Sequence, residues 1–267
     1  MPELPEVQTV VDTLRPAILG KRITKSLLHR PDILRPLGLD LPSHLLGRIF
    51  LDISRRGKKI VFQLDDGNRF YIHLGMTGRI TQPAPTSDRL PHTHLTIELQ
   101  NRRIDFLDPR RFGGIWWLGQ TGSPDENLGP EPLTIPSSEL ARRLAKTSRA
   151  IKSALLDQSV IAGLGNIYVD ESLFRAGIHP LTPANKLKPS QISQLTRAIK
   201  STLRAALQHR GSTLRDYFDA NGDPGGFKKL HAVYDRTNEK CRKCKTPIKR
   251  IVLGGRSTHF CPRCQPR

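Results

Sequence analysis

Four cysteines near the C-terminus have the spacing of a metal site. The chain has 267 residues, and its cysteines all fall in the last 27, as Cys241-x2-Cys244, sixteen residues, then Cys261-x2-Cys264. Two Cys-x-x-Cys turns offer the four thiolates that a tetrahedral structural Zn²⁺ requires. The residues between the two pairs predict a β-hairpin with its turn at Gly254-Gly255. The alternative is a pair of disulfides in a secreted domain, but the acidic N-terminus predicts no signal peptide. We therefore predict one structural zinc ion.

The zinc ribbon predicted here is strongly basic. Its eight cationic residues are Arg242, Lys243, Lys245, Lys249, Arg250, Arg256, Arg263 and Arg267. A hairpin that a metal holds rigid and that carries this much positive charge is typical of a nucleic-acid contact.

The whole chain is basic, and this narrows the choice of partner. It has 43 Lys and Arg against 24 Asp and Glu, a formal net charge of +19. Such a surplus favours a polyanion, either nucleic acid or a membrane surface. The sequence has no apolar run of about 18 residues, no lipidation motif and no dominant basic amphipathic helix. We predict a nucleic-acid partner and no membrane association.

The N-terminus offers a second kind of chemistry. If Met1 is removed, Pro2 presents a secondary amine beside the carboxyl group of Glu3. An α-amino group with a pKa of about 7.7–8.0 is far more often deprotonated at neutral pH than a lysine at about 10.4. Such an amine can attack a sugar C1′ and form an iminium. From these two residues alone, an acidic first turn of a helix is the better explanation of the pattern.

The elements that must position these groups fall into two patterns. Residues 3–15 carry an apolar i, i+3, i+4, i+7 stripe and predict a leading helix, after which the apolar period becomes two. Residues 59–64 and 70–74 flank an Asp-Asp-Gly-Asn turn and predict a hairpin. Apolar and polar residues alternate over 95–99, and further strand-like stretches follow at 103–107 and 114–118. We predict an antiparallel β-sandwich with a leading helix over residues 1–130.

A Pro/Gly/Ser-rich passage from Gly119 to Ser138 predicts a domain linker, and a helical pattern follows it. Four helices are expected, around residues 140–144, 151–156, 167–176 and 190–206. The predicted fold class is therefore α+β and multidomain, with a helical domain at 131–225 and a zinc ribbon at 226–267.

Six motifs in one order resemble the formamidopyrimidine-DNA glycosylase family over the whole chain. They are MPELPEV (Met1–Val7), HLGMTG (His73–Gly78), DPRRFGG (Asp108–Gly114), LGPEPL (Leu128–Leu133), AGLGNIYVDESLF (Ala162–Phe174) and the terminal ribbon. The resemblance implies a helix–two-turns–helix module in the helical domain. It also implies a bifunctional glycosylase and AP lyase of base excision repair.

The resemblance assigns roles to single residues. It implies Pro2 as nucleophile, Glu3 as general acid, Lys58 as a catalytic lysine and Arg256 as the residue that grips phosphate near the lesion. The residues that it implies at the DNA are Met76, His92, Arg110, Phe112, Lys152 and Asn166.

Several of these positions also have simpler interpretations. Lys58 lies in a basic run that could be a solvated strand edge, although it and Lys59 should face opposite sides of a strand. Met76 and Phe112 could be core residues, but a base-flipping enzyme needs an apolar wedge and a guanidinium to fill the gap. His92 and His94 could form a metal pair. The Gly-Leu-Gly turn before Asn166 suits either phosphate binding or a tight interhelical connection.

The resulting prediction is a monomeric DNA repair enzyme of the bacterial cytoplasm, associated with the nucleoid, that removes oxidised purines from damaged double-stranded DNA. The named substrates are 8-oxoguanine and formamidopyrimidines, and β,δ-elimination follows base release. Two alternatives remain. One is an endonuclease VIII-like glycosylase for oxidised pyrimidines, which Leu4, the Arg110/Phe112 pair and the long loop at 211–226 disfavour. The other is a non-catalytic zinc-ribbon DNA-binding protein.

Removal of zinc tests the metal assignment. A ribbon of this size has too small a core to fold without metal, so chelation should abolish DNA binding while the two larger domains remain folded. Native mass spectrometry should find one zinc per chain, and a DNA-binding assay with circular dichroism should follow its removal. Two disulfides and no zinc in the native protein would refute the assignment.

Overall fold

The structure is a computed structural model that describes residues 1–213 and 217–267. The chain forms two compact units. The first unit comprises Met1–Glu126 and Arg210–Gly226, and the second comprises Asn127–His209 and Phe227–Arg267. The chain passes from the first unit to the second inside the passage from Gly119 to Ser138, where the sequence predicts a linker.

The leading helix α1 spans Leu4–Ile18, three residues longer at its C-terminal end than predicted. Its apolar stripe of Val7, Val10, Val11 and Leu14 is at most 1% exposed and packs against the β-sandwich core. The helix begins immediately after Glu3, so burial of this stripe also fixes the position of the first residues of the chain.

Two sheets form the rest of the first unit. The strands are β1 (Ile23–Leu28), β2 (Leu34–Arg35), β3 (Phe50–Arg56), β4 (Lys59–Leu64), β5 (Arg69–His73), β6 (Arg79–Thr81), β7 (Thr93–Leu99), β8 (Arg102–Leu107) and β9 (Gly114–Gly119). A short helix α2 (Leu41–Leu45) precedes β3. One sheet has the order β1-β7-β8-β6 and the other has the order β2-β9-β5-β4-β3. All pairs are antiparallel except the two-residue pair of β2 with β9, which is parallel.

The predicted β4–β5 hairpin is confirmed, because Gly67 takes a left-handed φ of 82° and Asp66 accepts the Asn68 N–H at its turn. The strands that were not predicted from the sequence are β1, β2, β3 and β6. Their burial patterns are irregular: β1 buries only Ile23 and Ser26, and β3 only Phe50 and Ile53. Because these strands are partly exposed and carry charged residues, they show no clear period of two.

Residues 210–213 and 217–226 belong to the first unit, although the predicted helical domain extends to residue 225. The buried Glu6 carboxylate accepts the Ser212 N–H at 2.7 Å, and the Ala220 N–H donates to Thr13 at 3.3 Å. Ala220 belongs to the β-sandwich core. The loop expected at 211–226 includes residues 214–216, which lie outside the described residues.

The second unit contains the four predicted helices. They are α3 (Ser137–Leu144), α4 (Ile151–Leu156), α5 (Asn166–Ala176) and α6 (Pro189–Gln208). The connection between α4 and α5 is a pair of turns at residues 157–165, which is the helix–two-turns–helix arrangement implied by the resemblance. The C-terminal hairpin pairs β10 (Lys249–Leu253) with β11 (Arg256–Phe260) around the predicted Gly254-Gly255 turn. The predicted fold class is confirmed. None of the described helices combines the length and apolar character needed to cross a bilayer.

Two loops of the first unit are in unusually close contact. One follows β5 and contains Gly75 and Met76, and the other follows β8 and contains Phe112 and Gly113. A Cβ added at Gly75 would lie 2.4 Å from both the Gly113 nitrogen and the Phe112 carbonyl carbon. Gly75 also has a φ of +59°, so only glycine suits this contact without strain.

Gly75→Ala should therefore separate the loops and destabilise the first unit. Its cost should combine about 1–2 kcal/mol for a left-handed alanine with roughly 1–3 kcal/mol for the clash. Gly20→Ala is the matched control, because Gly20 has a φ of +69° and nothing lies within 4 Å of its added Cβ. Both tryptophans, Trp116 and Trp117, lie in this unit, so urea denaturation followed by tryptophan fluorescence measures its stability alone. Equal losses in the two variants would contradict the steric argument.

Candidate catalytic and nucleic-acid-binding site

The N-terminal Pro2-Glu3 pair is buried at the start of α1. Glu3 is 2% exposed, and its backbone N–H donates to Glu6 Oε2 at 2.9 Å. The other oxygen of Glu6 accepts the Ser212 N–H at 2.7 Å. One buried carboxylate thus joins the first residues of the chain to the beginning of the segment 212–226, and it holds Pro2 and Glu3 in a fixed backbone conformation.

The hairpin turn between β3 and β4 carries Lys58, which is 7% exposed. Arg55 connects this turn to α1, because it donates to Gln8 at 3.0 Å and to the carbonyl of Gly57 at 3.1 Å. Lys59 lies in different surroundings, where its Nζ donates to the Pro124 carbonyl and lies 4.5 Å from the centre of the Tyr71 ring.

A partly buried histidine, His73, to which no role was assigned from the sequence, lies beside these lysines. Burial, reinforced by the charges of Lys58 and Lys59, lowers the pKa of His73 to about 4. The ring is neutral at neutral pH, and its Nδ1 accepts the Gly75 N–H at 3.1 Å. His73 therefore positions the loop that carries Met76.

Met76, Arg110 and Phe112 are exposed, as the wedge hypothesis requires. Met76 is 41% and Phe112 55% exposed, and the Arg110 guanidinium lies 4.6 Å from the centre of the Phe112 ring. Large apolar side chains at loop tips are unusual unless they contact a partner. The alternative that Met76 and Phe112 are core residues is excluded.

Asp108 holds both of these loops. Its carboxylate is fully buried and accepts hydrogen bonds from the Thr77 hydroxyl at 2.6 Å, the Gly113 N–H at 2.7 Å and the Arg110 N–H at 3.3 Å. Thr77, next to Met76, and Arg110 and Gly113, which lie two residues before and one residue after Phe112, are thereby bound to one side chain. Asp108 lies inside the DPRRFGG motif, but its sequence context alone gives no sign that it reaches the second loop.

His92 and His94 do not form a metal pair. His92 is exposed with a left-handed φ of 64°, whereas His94 is buried and its Nε2 contacts the Asp108 carbonyl at 2.8 Å. Among the described residues, the cysteines form the sole cluster that could hold a metal ion. His92 therefore remains available for the DNA contact that the resemblance implies.

In the second unit, Asn166 begins α5 directly after the Gly163-Leu164-Gly165 turn. Its Nδ2 donates to the Ser257 carbonyl at 2.9 Å, next to the exposed Arg256 at the start of β11. The Asn166 Oδ1 is buried and has no partner among the described residues. Asn166 and Arg256 are thus brought to the same place by Ser257.

The structure corrects the prediction that Lys152 contacts the DNA backbone. Lys152 is completely buried, and its Nζ donates to Asp170 at 2.7 Å and to the Ser257 carbonyl at 2.7 Å. A phosphate cannot reach a buried ammonium group that is already paired in this way. Asp170 also accepts the His259 N–H at 2.8 Å, so the pair binds β11 to α4 and α5. Lys152 and Asp170 thus hold the strand β11, which begins at Arg256.

The adjacent Glu171, also missed by sequence, holds the chain just before the ribbon. Its carboxylate accepts the backbone N–H groups of Ala232, Val233 and Tyr234 at 2.8–3.0 Å. Burial nevertheless raises the pKa of Glu171 above its usual value. The sequence does contain a signal for this role, because two consecutive acids lie in the otherwise apolar helical segment IYVDESLF. Such a position indicates that both carboxylates are buried and bind other segments of the chain.

The four cysteine sulfurs fit one zinc ion. They are free thiols, and all four Sγ atoms lie within 4.8 Å of one another. Cys241 and Cys264 are 3.9 Å apart, and Cys244 and Cys261 are 3.4 Å apart. A tetrahedron with Zn–S bonds of about 2.3 Å places its sulfurs about 3.8 Å apart. The donor set and spacing agree with the zinc prediction and exclude the disulfide alternative. When bound, the ion cross-links the two ends of the ribbon.

Three family models match the chain. The formamidopyrimidine-DNA glycosylase N-terminal domain matches residues 1–115, the H2TH domain of the same enzymes matches residues 128–217, and a zinc finger found in FPG and IleRS matches residues 238–267. The three matches follow the order of the predicted domains without fixing the boundaries between them.

Whole-chain relatives carry the same name. The formamidopyrimidine-DNA glycosylase of Solibacter usitatus is 43% identical over 268 residues and is covered completely, as is this chain. That of Methylobacillus flagellatus is 42% identical over 275 residues, with 99% of this chain and 96% of the relative covered.

Solved structures of similar proteins contain damaged DNA. Wild-type Lactococcus lactis Fpg (MutM) in complex with DNA containing N7-benzyl-Fapy-dG has a TM-score of 0.94 at 35% identity, with both chains fully covered. A MutM complex with DNA containing carbocyclic 8-oxo-G has a TM-score of 0.93 at 35% identity, again with full coverage of both. Because the similarity extends from the Pro2-Glu3 pair to the last cysteine, the chain belongs to the formamidopyrimidine-DNA glycosylase family.

Proposed function

We propose that this protein excises oxidised purines from double-stranded DNA and then cleaves the abasic strand, with Pro2 as nucleophile. The observation that carries the proposal is the buried Pro2-Glu3 pair at the start of α1, in a chain that matches the family over its whole length. Removal of Met1 makes the Pro2 nitrogen a secondary amine. Because Glu6 and α1 fix the backbone there, the amine and the Glu3 carboxyl group would act from constant positions.

The chemistry uses the pair in sequence. The Pro2 nitrogen attacks C1′ of the damaged nucleotide while Glu3 protonates the departing base, so the C–N glycosidic bond breaks as the new C–N bond forms. Ring opening of the sugar gives an iminium between Pro2 and C1′. Loss of a proton from C2′ expels the 3′ phosphate, and δ-elimination then expels the 5′ phosphate and leaves a one-nucleotide gap. Lys58 assists these steps, and Arg256 and Asn166 bind the backbone phosphate next to the lesion.

The two loops that Asp108 holds fill the space left by the flipped base. Met76 and Phe112 enter the base stack, and Arg110 contacts the base that has lost its partner. The Arg110/Phe112 pair also favours oxidised purines over the oxidised pyrimidines of an endonuclease VIII-like enzyme. His92 contributes a further backbone contact. We keep 1–130, 131–225 and 226–267 as proposed domains, with the first holding the nucleophile.

Borohydride trapping tests Pro2 directly. With a duplex that contains 8-oxoguanine opposite cytosine, reduction should link the protein to DNA through its N-terminal peptide, because the imine nitrogen belongs to Pro2. The cross-linked fraction, measured by peptide mass spectrometry, should equal the fraction of protein that lacks Met1. Pro2→Gly should trap much less DNA. A cross-link at Lys58 would show that the nucleophile is assigned to the wrong residue.

Arg110 should determine which base is accepted opposite the lesion. A guanidinium only donates hydrogen bonds, and cytosine offers O2 and N3 as acceptors, whereas adenine presents its N6 amino donor beside N1. Loss of this contact corresponds to about 5- to 150-fold in discrimination. Arg110→Ala should therefore reduce the preference for cytosine over adenine in single-turnover excision, yet spare imine formation at an abasic site.

Arg102→Ala is the matched control for Arg110→Ala, because Arg102 is an exposed arginine at the opposite end of β8. It should keep the full preference for cytosine. Retention of that preference by Arg110→Ala, or a loss of lyase activity as complete as in Pro2→Gly, would remove Arg110 from this role.

A further inference from the structure

A cavity of about 480 Å³ lies in the first unit beside the loop that carries Arg110 and Phe112. It is lined by Asp32, Ile33, Arg35, Arg110, Arg111, Phe112, Gly113, Gly114 and Trp116. Pro2, Glu3 and Lys58 are not among these residues, so the cavity is separate from the proposed nucleophile. Its volume is within the range of small-ligand sites and is sufficient for a nucleotide.

The walls of the cavity are held rigidly. The parallel pairing of β2 with β9 places Arg35 opposite Trp116. A Cβ added at Gly114 would lie 2.9 Å from the Ile33 carbonyl oxygen and 3.0 Å from the Trp116 ring, so the two segments are in direct contact. The Trp116 ring is itself stacked on Tyr71 with its centre 5.0 Å away. The paired strands β2 and β9 therefore form one wall of the cavity, and the loop of residues 110–113 forms another.

The net charge of the lining residues favours the binding of an anion. Three guanidinium groups face one carboxylate, that of Asp32. Asp32 is already engaged, because Arg30 binds both its oxygens at 3.0 Å and Arg111 lies 3.4 Å away. Three guanidinium groups and one carboxylate leave the lining with a net charge of +2.

Two of the guanidinium groups have donors to spare. Arg35 is exposed, and its Nη1 donates to the carbonyls of Asp32 and Leu34 at 2.8 Å, while its other guanidinium nitrogens make no hydrogen bond to a described residue. Arg110 lies over the Phe112 ring, and its side chain makes no hydrogen bond to any residue that the structure describes. Guanidinium groups with unused N–H groups beside a cavity match the acceptor oxygens of a phosphodiester.

We propose that this cavity binds the backbone of the undamaged strand, at the phosphodiester next to the nucleotide opposite the lesion, and that Arg35 donates to it. This rests on the proposed function, in which Arg110 contacts the unpaired base of that strand. Since Arg110 and Phe112 line the cavity as well as forming the wedge, the DNA that reaches the cavity is continuous with the base that Arg110 contacts. The adjoining phosphate lies within one nucleotide of that base.

Coupling between Arg35 and a single phosphate tests the proposal. The probe is a duplex with a non-cleavable abasic analogue opposite cytosine, in which one phosphate at a time is replaced by an uncharged methylphosphonate. The replacements cover three positions on either side of the lesion, in each strand. Affinity is measured for the wild-type protein, Arg35→Ala, Arg35→Gln and the control Arg102→Ala.

We expect Arg35→Ala to weaken binding to unmodified DNA about tenfold, as expected for the loss of one charge-assisted hydrogen bond. Its salt dependence should fall by about one unit of slope. One methylphosphonate in the undamaged strand, next to the unpaired nucleotide, should lower the affinity of the wild-type protein by the same factor. It should not lower the affinity of Arg35→Ala any further. Arg35→Gln should behave like Arg35→Ala. Arg102→Ala should behave like the wild type and bind the duplex with that methylphosphonate more weakly than the unmodified duplex.

Additive losses at every position would overturn the proposal, because independent groups do not couple. Coupling to a phosphate of the lesion strand would also overturn it, as would a loss of affinity in Arg35→Ala that accompanies a lower unfolding temperature absent from Arg35→Gln. Borohydride trapping at a natural abasic site separates this result from the proposed function. Absence of an imine in the wild type would refute Pro2 catalysis, whereas the coupling depends on DNA binding alone.

Discussion

The candidate DNA-contacting surface of the first unit depends on the hydrogen bonds that the buried Asp108 carboxylate accepts from two loops. A carboxylate withdrawn from water is costly unless every oxygen accepts strong hydrogen bonds. Asp108 meets this requirement with donors from two loops, the Thr77 hydroxyl in one and the Arg110 and Gly113 N–H groups in the other. The loops are then free to expose Met76 and Phe112, since their own backbone conformations no longer depend on burying those side chains.

Three other acidic residues are buried and hydrogen-bonded in the same way, in a chain that has far more basic than acidic residues. Glu6 joins the N-terminus to the segment 212–226, Asp170 joins β11 to two helices, and Glu171 holds the residues that lead into the ribbon. In each case a buried carboxylate binds backbone N–H groups of a distant segment. These four acids are thus used for internal connections, while most of the 43 basic residues can remain at the surface for a polyanion.

Not every basic residue lies at the surface, and Lys152 shows why the sequence alone does not distinguish buried from exposed basic residues. Its ammonium group neutralises Asp170 inside the second unit and supports the Ser257 carbonyl, to which Asn166 also donates. A charged residue in a basic stretch is read as solvent-facing by default. Only the fold shows that α4 turns this side chain inwards towards β11, where it supports Arg256 instead of taking part in a phosphate contact.

The sequence by itself determined the local features of this protein. The leading helix, the β4–β5 hairpin, the four helices of the second unit and the zinc ribbon follow from apolar periods, turn residues and cysteine spacing, which are all short-range. The tertiary structure alone decided which distant residues meet. The partners of Asp108, the packing of residues 210–226 on the β-sandwich, the parallel β2–β9 pair and the cavity beside Trp116 all join segments far apart in the chain. No local pattern encodes such contacts, because they depend on how the sheets and helices pack rather than on the propensity of any single segment.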